Sequence, residues 1–122
     1  MKKALAIMML LTIVFGVMGC SNPKEVTVAD IVDKVYVYEK DGCGGDFTIE
    51  INADGTFTYS EGLLSSHIGM GEWSYSEGIL TLFEKNSSYS FSVKKDTLIF
   101  VDKDSGNFPY VNVKNGEKFF AQ

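Results

Sequence analysis

From residue 34 onward apolar side chains recur at every second position, and no other feature of the chain restricts its possible folds as strongly. Phe47, Ile49 and Ile51 alternate with Asp46, Thr48, Glu50 and Asn52, and Phe57 and Tyr59 alternate with Thr56, Thr58 and Ser60. Trp73 and Tyr75 oppose Glu72 and Ser74, and Tyr89, Phe91 and Val93 oppose Ser88, Ser90 and Ser92. Successive side chains of a strand point to opposite faces, so this period builds strands with one dry and one wet face, as antiparallel sheets require. Helical spacing is scarce.

Turn-forming pairs divide the alternating runs: Gly44-Gly45, Asp54-Gly55, Glu77-Gly78, Asn86-Ser87, Lys95-Asp96, Ser105-Gly106 and Asn115-Gly116. Their spacing is that of consecutive hairpins. Eight strands are expected, near 34–40, 46–52, 56–61, 69–76, 79–84, 88–94, 97–102 and 108–114, with a short helical turn at 30–33 and a final partial strand at 117–120. The fold class is all-β, an antiparallel up-and-down meander. Closing such a sheet into a barrel buries its dry face and removes its edges together. A β-sandwich is the alternative, but it needs a longer crossing connection, for which only 62–68 or 103–107 would serve.

Phe57, Tyr59, Trp73, Tyr75, Phe91 and Phe100 are placed inside, either as a filled core or as the lining of a ligand cavity. An eight-stranded barrel is just wide enough for one or the other. Tyr36 and Tyr38 alternate with Val35 and Val37, so one of these pairs faces outward.

Composition bounds the partners. With 122 residues, 45% of them hydrophobic and 13% aromatic, the chain has enough for one packed domain and no room for a second. All eleven basic residues are lysines, sixteen carboxylates outnumber them, and the net charge is -5. Nucleic acid is excluded as a partner, because phosphate backbones are held by clustered Lys and Arg and the planar guanidinium fork is missing altogether.

The N-terminus is organised differently. Lys2 and Lys3 precede an apolar run from Ala4 to Val17, broken only by Thr12 and Gly16, and Met18, Gly19 and Cys20 follow. A basic start, a short apolar region and a small residue before the cut describe a secretory signal helix, shorter than the roughly 20 residues a spanning helix needs. Val17-Met18-Gly19-Cys20 resembles the lipobox of bacterial lipoproteins. That resemblance implies cleavage before Cys20, palmitate-type acyl chains on its thiol, and a domain held at the cell membrane or outer membrane, facing outside the cytoplasm. Residues 1–19 are then the signal peptide, 20–30 a tether of at most about 35 Å, and 31–122 the β domain. The lipid is an anchor, not a cofactor, and no cofactor is expected. With Cys20 acylated, Cys43 is left alone among Gly42, Gly44 and Gly45, a turn residue without a histidine to activate it.

A second resemblance covers about Val35 to Val113. Asp54-Gly55-Thr56-Phe57, Gly71-Glu72-Trp73-Ser74, Ile79-Leu80-Thr81-Leu82 and Leu98-Ile99-Phe100 look like the small lipocalin-like domains of bacterial lipoproteins. In those an Asp-Gly hairpin, a Gly-x-Trp strand and an apolar strand recur in this order. Asp33, Lys34 and Val35 stand where such chains often begin with a Gly-x-Trp. The resemblance implies a barrel and an envelope location more than an activity.

Chemistry-bearing motifs are few. Glu50, Asn52, Asp54, Gly55 and Glu61 match the spacing of an EF-hand calcium loop, but the flanking residues alternate as strands where that motif needs helices. His67 is the single histidine, preceded by Ser65 and Ser66 in a flexible loop with no nucleophile elbow. No catalytic or metal site is expected. Two function classes remain: a non-catalytic module that binds a small apolar ligand or peptide in the barrel mouth, or an envelope protein that meets protein partners through its surface and has a solid core. A monomer is expected in either case.

Overall fold

The computed structural model describes residues 26–40 and 44–122. The segment expected as a signal peptide, Cys20, most of the expected tether and Cys43 lie outside them. Eight strands, β1 (Lys34–Tyr38), β2 (Thr48–Ile51), β3 (Thr56–Ser60), β4 (Ile68–Ser76), β5 (Ile79–Glu84), β6 (Ser87–Lys94), β7 (Thr97–Val101) and β8 (Lys118–Ala121), form a closed barrel in sequence order. Every neighbour is antiparallel, and β8 returns to pair with β1. The all-β meander read from the alternation is the observed fold, and a barrel, not a sandwich, is how it closes. Among the described residues no helix is long and apolar enough to cross a membrane.

Local chemistry explains the hairpins. Ser76 pairs with Ile79 across Glu77 and Gly78, both at positive φ (52° and 82°), which is the two-residue turn whose twist suits antiparallel strands. In the β2–β3 turn Asp54 accepts the Thr56 N–H and hydroxyl, and the Trp73 indole N–H donates to the Asn52 carbonyl at 2.9 Å. The Asp-Gly hairpin and the Gly-x-Trp strand are thereby tied together.

Strand β4 changes partners part-way. Residues 68–72 pair with β3 and residues 72–76 with β5, with Glu72 common to both. Gly71 stands at the changeover, where a Cβ would overlap the Phe83 carbonyl oxygen. A side chain there would block the corner that lets the sheet close.

Two expectations are corrected. The segment 108–114 is not a strand: Lys118–Ala121, expected as a partial strand, fills the place between β7 and β1. Proline at 109 has no N–H for a ladder, and Phe108, Val111 and Val113 instead enter the core from the end of the barrel. The helical turn, α1 (Val28–Ile31), begins earlier than expected because the Asp30 carboxylate reaches back to the Thr27 N–H at 3.0 Å and caps it there.

The barrel has two unlike ends. At one, α1 and the tight turns after β2, β4 and β6 close the wall; Ile31 is buried and its carbonyl accepts the Tyr36 hydroxyl at 2.9 Å. At the other, the mouth, residues 39–40 and 44–47 meet the links 61–67, 85–86 and 102–117.

Candidate functional site at the barrel mouth

Three inward rows reach the mouth at a glutamate, Glu84 at the end of β5 and Glu61 and Glu117 one residue outside β3 and β8. Glu61 follows Phe57 and Tyr59, Glu84 follows Leu80 and Leu82, and Glu117 precedes Phe119. A carboxylate taken out of water needs charge or donors to offset its lost hydration, and each of the three is supplied differently.

Glu84 Oε1 accepts the hydroxyls of Tyr59 at 2.8 Å and Tyr89 at 3.1 Å. His67, from the β3–β4 link, places Nε2 3.6 Å from Glu84 Oε2 and 3.4 Å from the Tyr59 hydroxyl. Glu117 takes the Tyr38 hydroxyl, the Lys40 ammonium and, at 2.7 Å, the Lys114 N–H. Glu61 is wholly buried; its Oε1 accepts the backbone N–H groups of Tyr110 at 2.9 Å and Val111 at 2.8 Å. Its Oε2 is buried without a hydrogen-bond partner among the described residues.

These environments set the proton affinities. Burial opposes the Glu117 charge, but the bonds from Lys40, Tyr38 and the Lys114 N–H outweigh it and bring the carboxyl down to about 2. Burial, then the bond to Glu84, pushes the Tyr59 phenol well above its ordinary value, and burial with the Glu84 charge moves Tyr89 the same way. Tyr38 is raised by burial and by Glu117. Phenols held protonated this firmly serve as hydrogen-bond donors and are poorly suited to give up a proton.

The link 102–117 lies across the mouth as a strap. Its Phe108 ring stacks on Tyr89 with centroids 4.0 Å apart and 9° between planes. Phe47 and Tyr59 meet it edge-on at 4.9 and 5.1 Å, and Phe100 lies tilted at 6.0 Å. The mouth is therefore plugged by the chain itself.

The residues singled out from sequence separate into two groups. Phe57, Tyr59, Phe91 and Phe100 are buried in the core, with Phe91 and Phe100 5.5 Å apart across the β6–β7 ladder. Trp73 and Tyr75 share the inward row of β4 but are only half buried, towards the closed end, where the Tyr75 hydroxyl donates to the Val26 carbonyl at 3.0 Å. A groove of about 480 Å³ opens beside them, lined by Val26, Tyr75, Val93 and Lys94 among others. A second, of about 410 Å³, lies on the outer wall along Thr56, Thr58, Met70 and Glu72. Both open to solvent.

The calcium-loop spacing is dispersed by the fold. Glu50 faces outward on β2, Asp54 is engaged in its turn, and Glu61 is inside the mouth. Among the described residues no group of three His, Cys, Asp or Glu side chains is placed to hold a metal ion. Sequence reasoning missed Glu84, Glu117 and Phe108 and considered Glu61 only for calcium. A signal was present: Glu61, Glu84 and Glu117 each sit in phase with an inward apolar row.

Outside the barrel, Ile68 and Met70 on β4 and Phe83 on β5 are exposed on one wall, Met70 opposite Thr58 and Phe83 opposite Glu72. Leu63 and Leu64, on the link that leads into β4, are 86% and 82% exposed. Comparison with protein families, curated proteins and solved structures gives no match for this chain.

Proposed function

We propose that the protein is a non-catalytic lipoprotein of the bacterial envelope, anchored through lipid on Cys20, whose lipocalin-like barrel binds another envelope protein through its outer wall. The observation that carries this reading is the exposed apolar row Ile68, Met70 and Phe83. Exposed apolar side chains gathered on one wall, unlike scattered single ones, mark interaction sites. The interior argues the same way, because Phe108 fills the mouth; Tyr36 and Tyr38 of β1 are buried, so no tyrosine patch adds to the surface. The glutamates of the mouth are engaged by tyrosine hydroxyls, Lys40 and strap N–H groups, which supports a structural and not an acid–base role.

A photo-crosslinking residue placed at Met70 in cells tests the reading, with Ser74, exposed on the same strand and face, as the control. One discrete protein adduct is expected from Met70, weakened at least fivefold by Phe83→Ser and missing from Ser74. Equal adducts from both positions, or none from Met70, would sink it.

A second reading, a small ligand in the barrel mouth, has one observation in its favour. The link over the mouth has no regular structure beyond the single 3-10 turn Asp102–Asp104, and irregular links longer than about 12–15 residues are commonly functional.

A further inference from the structure

The strap is tied firmly at its two flanks. The Ser105 hydroxyl donates to the Val101 carbonyl at 2.7 Å and its oxygen accepts the Ser90 N–H at 2.7 Å, while the Gly106 N–H reaches Ser88 at 2.8 Å. At the other flank the Lys114 N–H is held by Glu117. Between them, among the described residues, the backbone of 107–113 reaches the barrel through two hydrogen bonds, and both end on one atom, Glu61 Oε1. The stretch 107–113 thus has a fixed hinge at each end and a polar latch on Glu61.

What this lid puts deepest into the mouth is a ring. Phe108 lies face-on to Tyr89 and is met at its edges by Phe47 and Tyr59. A stacked face with aromatic walls at the edges is how a protein grips any flat ring, whether or not the ring belongs to its own chain. Glu61 takes the inward position after Tyr59, whose ring meets Phe108 edge-on, and its Oε2 is buried without a hydrogen-bond partner among the described residues. An unpaired buried acceptor costs about 1–3 kcal/mol, a cost that a donor on a ligand would remove.

We infer that the Phe108 slot, filled at rest by the chain's own ring, is a binding site for a flat aromatic ring with an ammonium donor on a short side arm. The ligand takes the place of Phe108 on Tyr89, its donor goes to Glu61, and 107–113 swings outward as the Tyr110 and Val111 N–H groups pass to water. The tethered ring competes at an effective concentration on the order of millimolar, and the ligand's donor offsets part of what the Glu61 carboxyl loses when the Tyr110 and Val111 N–H groups leave. This inference rests on the small-ligand reading and is independent of the outer wall.

Tryptamine and indole-3-acetate share a ring and differ in the charged group, one a donor and the other an acceptor. The full chain is titrated with each while the Phe108 ring signals and the exchange of the Tyr110 and Val111 amides are followed by NMR. Expected are saturable binding of tryptamine at least tenfold tighter than of indole-3-acetate, and amide exchange at least tenfold faster at saturation. Glu61→Gln is expected to abolish the preference, and the wild-type comparison decides the matter if that variant does not fold. Equal affinities would overturn the role of Glu61 while leaving the small-ligand reading standing. Binding without faster exchange would overturn the lid. No saturable binding of either compound would overturn both the inference and the reading beneath it.

Discussion

The ring of Phe108 lies flat on the ring of Tyr89, 4.0 Å away, although the two residues belong to a strap without a ladder and to a central strand. Neither strand pairing nor a disulfide imposes this contact; it exists because the mouth of the barrel is aromatic and the strap offers a ring of the right shape. Phe108→Ala should cost about 3–5 kcal/mol, the range for emptying a buried phenylalanine site. Urea unfolding measures it, and a loss below about 1 kcal/mol would mean that the strap packs only loosely.

Acid should weaken the fold through Glu117. Its carboxyl is held at about 2, below the ordinary value of about 4.3, so the folded chain binds fewer protons than the unfolded one between these values. The stabilisation is fully present above about pH 4.5 and is lost as pH falls towards 2. Unfolding free energies measured across that window should fall, and Glu117→Gln should flatten the curve. A variant curve parallel to the wild type would show that Glu117 does not carry the effect.

Alkali acts through the buried phenols. Tyr36 is pushed up to about 12 by burial and the nearby Asp96 and Asp30 charges, and Tyr38, Tyr59 and Tyr89 are raised as well. The folded chain keeps these protons above pH 10 where the unfolded chain loses them, so stability declines as pH rises beyond that point. Absorbance at 295 nm should show these tyrosines ionising late and together with unfolding. Smooth titration of all six tyrosines near pH 10 in a chain that stays folded would contradict this.

Two glycines of β4 should respond unequally to alanine. At Gly69 a Cβ meets the Tyr59 ring, a side chain that can shift, whereas at Gly71 it meets the Phe83 backbone carbonyl. Gly69→Ala is expected to cost about 1–3 kcal/mol and Gly71→Ala more, to the point of preventing closure. Thermal unfolding of the two variants ranks them, and the reverse order would refute the account of the β4 corner.

Cys20 should carry the anchor. Mass spectrometry of the chain extracted from bacterial membranes should show a first residue Cys20 with acyl chains, and Cys20→Ser should leave an unacylated precursor. A wild-type chain that retains Met1 to Gly19 would remove the lipoprotein reading.

Much of the wall was legible in advance, and the reason is local. The alternation in β2, β3 and β6 assigns each side chain to a face whatever its partner strand, which is why Phe57, Tyr59 and Phe91 end inside and Thr58 and Ser92 do not. The segment 108–114 shows the limit of that logic. Val111 and Val113 alternate with Asn112 and Lys114 as a strand would, yet they are buried from a strap, because apolar side chains can reach the core from a ladder or from across its end.

By itself the sequence determined the strand period, the tight turns at Asp54-Gly55, Glu77-Gly78 and Lys95-Asp96 and the parity of the rows, all properties of neighbours a few residues apart. The tertiary structure alone decided that Lys118–Ala121, and not 108–114, closes the ring against β1, and that Glu61 is buried beneath Tyr110 and Val111, some fifty residues away. Both depend on which distant segment reaches a vacant ladder or a buried carboxyl group. Hydrogen-bond partners so far apart leave no periodic trace in the chain, and only closure of the barrel brings them together.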